Sequence, residues 1–171
     1  MYPHHFKGEG QFVACLTFKG ENRQSKIKPP RSNLTAEQKQ LWQAFEQEHL
    51  LEPVSGVLQI FGEQLYLLPN GLPSLDKLRL ARNGLHLGTF KKKRFEPSFA
   101  LGMALKPSQS RRIYKLPEEE FRAYVAGNSL SAQEAGAKGW YQLVCAGNGL
   151  GFVKISQGVV KNHYPKGLRF Y

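Results

Sequence analysis

Hydrophobic and polar positions change period several times along the chain, and each change marks an element. Gln11 to Phe18 reads Gln-Phe-Val-Ala-Cys-Leu-Thr-Phe, rich in β-branched and aromatic types, which predicts a buried strand after a turn at Gly8-Glu9-Gly10. Lys19 to Asn33 is polar, holds Pro29-Pro30 and is expected to be a linker. A helix should open at Thr35, because Thr35-Ala36-Glu37-Gln38 has the spacing at which a hydroxyl and an amide satisfy orphan backbone donors reciprocally. Leu41, Trp42 and Phe45 give that helix one apolar face, and Pro53 ends the segment. Val57 to Phe61 and Gln64 to Leu68 then flank Gly62-Glu63, the two-residue spacing of a tight hairpin.

Pro69-Asn70-Gly71-Leu72-Pro73 is a cluster of turn residues, and a domain boundary is expected there. Beyond it, Leu85 to Phe90 alternates enough for a strand, with Gly84 and Gly88 as bends. Pro97 is expected as the first residue of a short helix with Ala100, Leu101, Ala104 and Leu105 on its apolar side. Arg111 to Leu116 is a basic strand candidate. Pro117-Glu118-Glu119-Glu120 should start another helix, with Phe121, Tyr124 and Val125 inward and Gly127 at its end. Trp140 to Cys145, Gly151 to Ile155 and Val159 to Lys161 read as strands separated by Gly-containing turns, the pattern of a small barrel. The fold class is therefore α+β. The expected layout is a strand at 1–18, a linker at 19–33, a small α/β unit at 34–75 and a mixed barrel with short helices at 76–171.

Charge sharpens this division. The net charge is +11, yet residues 1–75 carry seven of the 24 Lys/Arg and seven of the 13 Asp/Glu, so the whole excess belongs to residues 76–171. A positive footprint confined to one segment points to a polyanion, and no strongly amphipathic basic helix accompanies it to suggest a membrane surface. With 171 residues and 41% hydrophobic side chains the chain can bury a core. No run of eighteen apolar residues and no secretion signal is present, so a soluble, cytoplasmic protein is expected. Cys15 and Cys145, each inside an apolar run, suit buried reduced thiols better than a bridge, a metal site or a nucleophile.

The candidate chemistry gathers near the C-terminus, where Lys161-Asn162-His163-Tyr164-Pro165-Lys166-Gly167-Leu168-Arg169 combines cations, a histidine, an amide and an aromatic ring. Lys and Arg neutralise phosphates, an aromatic face stacks on an unpaired base, and Asn can hydrogen-bond a base edge as donor and acceptor. Lys91, Lys92, Lys93 and Arg94 form a second basic run. Lys154, between Val153 and Ile155, should face the side opposite to both and reach the surface of Lys161. Other motifs carry less. Glu118 to Glu120 point different ways and suit a solvated helix start, Gly149-Leu150-Gly151 lacks the third glycine and the helix of a dinucleotide loop, and His4, His5 and His163 have no carboxylate spaced to orient them for hydrolysis.

Three stretches together resemble the C-terminal part of RsmF-type enzymes, of the Nol/Nop/Sun group of RNA 5-methylcytosine methyltransferases. They are Met1-Tyr2-Pro3-His4-His5-Phe6-Lys7-Gly8-Glu9-Gly10-Gln11-Phe12-Val13-Ala14, then Leu80-Ala81-Arg82-Asn83-Gly84-Leu85-His86-Leu87-Gly88 running to Arg94-Phe95-Glu96-Pro97, then Lys161 to Arg169, the most specific of the three. The resemblance covers essentially the whole chain in the family's order. It implies a PUA-like RNA-binding domain at 76–171, a small first C-terminal domain before it, and a remnant of the methyltransferase core at 1–18. Family catalysis uses a Gly-rich loop for S-adenosylmethionine and Pro-Cys and Thr-Cys motifs. Here Cys15 follows Ala14 and Cys145 follows Val144, and Gln11 stands where many relatives have His. The resemblance thus implies a chain without catalysis or cofactor of its own, with S-adenosylmethionine expected only in a full-length relative.

Three functions remain open at this point. The first is an RNA-binding module docking ribosomal RNA of the small subunit, with Lys91, Lys92, Lys93 and Arg94 on phosphates and Asn162, His163 and Tyr164 making the selective contacts, supported by Lys154, Lys161, Lys166 and Arg169. The second is a subunit whose residues 1–18 complete a separately encoded methyltransferase core. The third is a protein-interaction domain that pairs through the exposed strand at 11–18.

Overall fold

A computed structural model describes residues 28–74, 84–132 and 137–170. The strand expected at Gln11 to Phe18 and most of the linker lie outside the described residues.

Helix α1 (Ala36–His49) begins as the sequence predicts. The Thr35 hydroxyl accepts from the Gln38 amide N–H, and the Gln38 side chain accepts from the Thr35 N–H at 2.9 Å. Trp42, Phe45 and His49, at helical spacing, are its buried residues. They pack on one face of an antiparallel sheet made of β1 (Val57–Phe61), β2 (Gln64–Leu68), β3 (Leu85–Lys91) and β4 (Arg94–Pro97), in that order. Trp42 meets Phe95 edge-on at 5.2 Å, and Phe45 lies 5.0 Å from the same ring. Burying each such ring contributes roughly 2–3 kcal/mol.

This sheet corrects three expectations. Tyr66 pairs with His86 and Leu67 with Leu85, so strands on either side of Pro69 to Pro73 share one ladder, and a boundary at residue 76 would cut through it. Consequently Lys91, Lys92, Lys93 and Arg94 form the β3–β4 hairpin of the first sheet rather than part of the barrel. Pro97 closes β4 instead of opening a helix. Ser98 takes the cap of α2 (Phe99–Ala104), its hydroxyl accepting from the Leu101 N–H at 3.0 Å. The end of the expected linker is fastened too. Asn33 lies along β1 and imitates a strand, donating to the Ile60 carbonyl at 3.1 Å and accepting from the Ile60 N–H at 2.8 Å, which covers an edge otherwise open to pairing.

The second sheet contains β5 (Ile113–Lys115), β6 (Leu130–Ser131), β7 (Gly139–Cys145), β8 (Asn148–Ser156) and β9 (Val159–Lys161). Its order is β5-β7-β8-β9-β6, antiparallel except for β5 beside β7, and it curls into a half-barrel. Helix α3 (Phe121–Val125) follows a single turn at Glu118–Glu120. Alternation along β8 serves two cores. Phe152 joins Trp42, Phe45 and Phe95, whereas Val153 and Ile155 join Tyr124, Val125 and Val160 on the opposite face.

Gln142 and Gly102 lock the halves together. The Gln142 side chain is 0% exposed. It donates to the Gly102 carbonyl at 3.0 Å and the Leu105 carbonyl at 2.8 Å, and accepts from the Ser110 hydroxyl at 2.6 Å. A Cβ at Gly102 would stand 2.3 Å from the Gly151 backbone, so only glycine lets α2 approach β8 this closely. Beside them, Arg111 donates its backbone N–H to the His49 carbonyl at 2.8 Å, and Arg112 pairs with Glu48 at 2.8 Å. Among the described residues no helix is long and apolar enough to cross a membrane.

Candidate nucleic-acid interface

Antiparallel pairing brings two cations and an aromatic ring together on one surface. Trp140 on β7 is opposite Lys154 on β8, and Lys154 is opposite Lys161 on β9. Residues directly opposite share a face, so the three side chains form one row, and the alternation along β8 had predicted this neighbourhood for Lys154 and Lys161. Like charges in that position repel, and the row costs stability unless an anion lies against it. Trp140 lightens part of this cost, since the Lys154 ammonium sits over its ring at 5.5 Å.

His163 completes the cluster. Its ring is exposed and rests on Trp140 with centroids 4.8 Å apart and planes at 54°. Burial pushes its pKa below the ordinary 6.5; Glu96 pulls the other way, and Lys154 and Lys161 add to the lowering. The imidazole is therefore neutral at pH 7, a polarisable ring with an open face. Glu96, the carboxylate that opposes the shift, pairs with Arg94 at 2.8 Å on β4 of the first sheet.

The remaining candidates separate into three groups. Lys91 pairs with Glu63 at 2.8 Å, and Lys92 and Lys93 stand exposed at the hairpin tip, where Lys93 takes a positive φ of 56°. Lys166 is exposed on the Lys166–Leu168 turn. Asn162, Tyr164 and Arg169 are half-buried and make contacts within the fold. Both Nδ2 hydrogens of Asn162 are used on the Tyr124 and Asn128 carbonyls, at 2.6 and 2.8 Å, and its Oδ1 accepts from the Tyr164 N–H at 2.8 Å. Both donors of that amide are thus engaged within the fold, and its oxygen keeps one lone pair. Tyr164 is half-buried, edge-on to Phe99 at 5.5 Å and Tyr124 at 5.7 Å. The Arg169 guanidinium lies over Gly127, 2.5 Å from where a Cβ would be. The sequence reading, conversely, passed over Trp140, the residue on which Lys154 and His163 both rest.

The glycines of the β7–β8 hairpin do not fit a cradle for S-adenosylmethionine. The space a side chain would fill at Gly149 is held by the Gly102 carbonyl and Gln142, and at Gly151 by the Phe99 ring. Cys145 is buried, and burial followed by the nearby Glu118 and Glu119 carboxylates pushes its thiol pKa up, the reverse of what a nucleophile needs.

A four-stranded sheet backed by a helix, joined to a curled half-barrel with a basic rim, defines an α+β protein ending in a PUA-like domain. Residues 44–105 match the RsmF rRNA methyltransferase first C-terminal domain, and residues 111–170 match the methyltransferase RsmF PUA domain. The chain belongs to the RsmF rRNA methyltransferase family, of which it carries these two C-terminal domains. The first match spans the sheet that crosses residue 76, so the junction falls at 106–110, beside the Gln142 lock.

Proposed function

We propose that this chain is an RNA-binding module that docks ribosomal RNA of the small subunit, without catalysis of its own, and that in full-length relatives it holds the RNA for methylation. The observation that carries this reading is the row of Lys154 opposite Lys161, flanked by an exposed imidazole tilted against Trp140. Two opposed ammonium groups form a clamp for backbone phosphate, and a ring beside them offers a face to an unpaired base. The Lys92–Lys93 tip adds sequence-independent attraction and fixes orientation.

Labelled small-subunit ribosomal RNA fragments, titrated with the chain at several salt concentrations, test this directly. Binding should weaken steeply with salt, and the Lys154→Ala/Lys161→Ala double variant should reduce the log–log slope by roughly 1 to 2. A failure of the wild-type chain to bind any fragment near physiological ionic strength would end the proposal.

A further inference from the structure

The face of the four-stranded sheet turned away from α1 carries a second set of rings. Register places Gln59, Tyr66 and His86 in one cross-strand row and Phe61, Gln64, Thr89 and Glu96 in the next. Tyr66 and His86 are tilted against each other, with centroids 5.1 Å apart and planes at 35°, and Phe61 stands edge-on to Tyr66 at 5.9 Å. Phe61 is 44% exposed, a large cost for a ring that only packs. Its neighbours are held still. The Tyr66 hydroxyl donates to Gln64 Oε1 at 2.6 Å, and His86 Nε2 is 3.1 Å from the Gly88 carbonyl, an acceptor that requires the ring to donate.

We infer that Phe61, Tyr66 and His86 form a stacking platform for unpaired RNA bases, a second contact surface on the first C-terminal domain. This rests on the RNA-binding reading above. Rings interleaved with Gln59, Gln64 and Thr89 suit nucleobases, which offer a π-face and polar edges, better than they suit an apolar protein surface. Charge agrees at the β3–β4 turn, where Lys92 and Lys93 stand exposed beside the Lys91–Glu63 and Arg94–Glu96 pairs. Four strands span about 14 Å, room for a few nucleotides.

Fluorescence anisotropy of the whole chain with labelled, unstructured oligouridine tests this. Phe61→Leu and Tyr66→Leu keep apolar bulk but remove the ring, and each should weaken binding about tenfold with an unchanged salt slope. Tyr66→Phe should bind like wild type, because only the ring face is used; thermal melts verify that each variant folds. If the leucine variants bind like wild type while Lys154→Ala/Lys161→Ala binds weakly, the platform is refuted and the module reading stands. If the wild-type chain binds no RNA, both fall. If the leucine variants change the oligomeric state instead of RNA affinity, the rings face a second copy and the platform is refuted.

Discussion

The β3–β4 hairpin carries four cations and the β8–β9 rim two, and they hold them differently. On the hairpin, Lys91 is matched with Glu63 and Arg94 with Glu96, each at 2.8 Å, so two of its cations are met before any ligand arrives, while Lys92 and Lys93 stand exposed at the tip. On the rim, Lys154 and Lys161 oppose one another across two strands. A run of four basic residues thus leaves two cations unmatched among the described residues, as many as two lysines separated by a turn. What a surface demands of a ligand depends on which charges the register brings together rather than on how many stand in a row.

The comparison presumes that both surfaces belong to one rigid body, and the strongest expected effect comes from loosening their joint. Gln142→Leu leaves the Gly102 and Leu105 carbonyls and the Ser110 hydroxyl without a partner, and chemical denaturation should show a loss of about 4 kcal/mol. A loss below about 1 kcal/mol would mean that the halves are held together elsewhere.

His49 makes the same joint sensitive to acid. Burial takes its pKa from 6.5 down to about 4, with Glu48 opposing and Arg112 adding to the shift. The fold keeps the ring neutral, so between about pH 6.5 and pH 4 the unfolded chain binds a proton that the folded chain refuses. Stability is full above the upper value and falls by about 3 kcal/mol on acidification to the lower one. His49→Gln should flatten that part of the stability–pH curve.

Charge removal then separates the two surfaces. Lys154→Ala/Lys161→Ala should weaken RNA binding about tenfold or more, whereas Lys91→Ala/Arg94→Ala, which deletes cations already paired, should cost about threefold. Equal losses would erase the distinction. The smallest effect concerns His163. Its pKa lies below the ordinary value, so as pH drops below about 6.5 the ring gains charge beside the clamp, and affinity should rise two- to threefold. His163→Asn should abolish that rise.

Local signals were legible where one segment decides its own structure. The Thr35 cap, the Gly62-Glu63 hairpin and the shared face of Lys154 and Lys161 follow from neighbours in sequence. Long-range pairing was not, because nothing in Pro69 to Pro73 announces that the chain returns to the same sheet. Trp140 escaped for a definable reason. Counting back from the β7–β8 turn at the register of Cys145 and Asn148 would oppose it to Val153, and a bulge between Gln142 and Val144 moves it one residue, onto Lys154. The internal bonds of Asn162 were not legible, because the Tyr124 and Asn128 carbonyls that its side chain serves lie far away in sequence.

The central claim is that Lys154 and Lys161 are kept opposed for an anion, against the interest of the fold. Lys161→Glu tests it with two readouts. The variant should unfold at higher denaturant, by about 0.5 kcal/mol, because a repulsive pair becomes an attractive one, while its affinity for RNA drops at least about tenfold. A variant no more stable than wild type that also binds RNA unchanged would contradict the account.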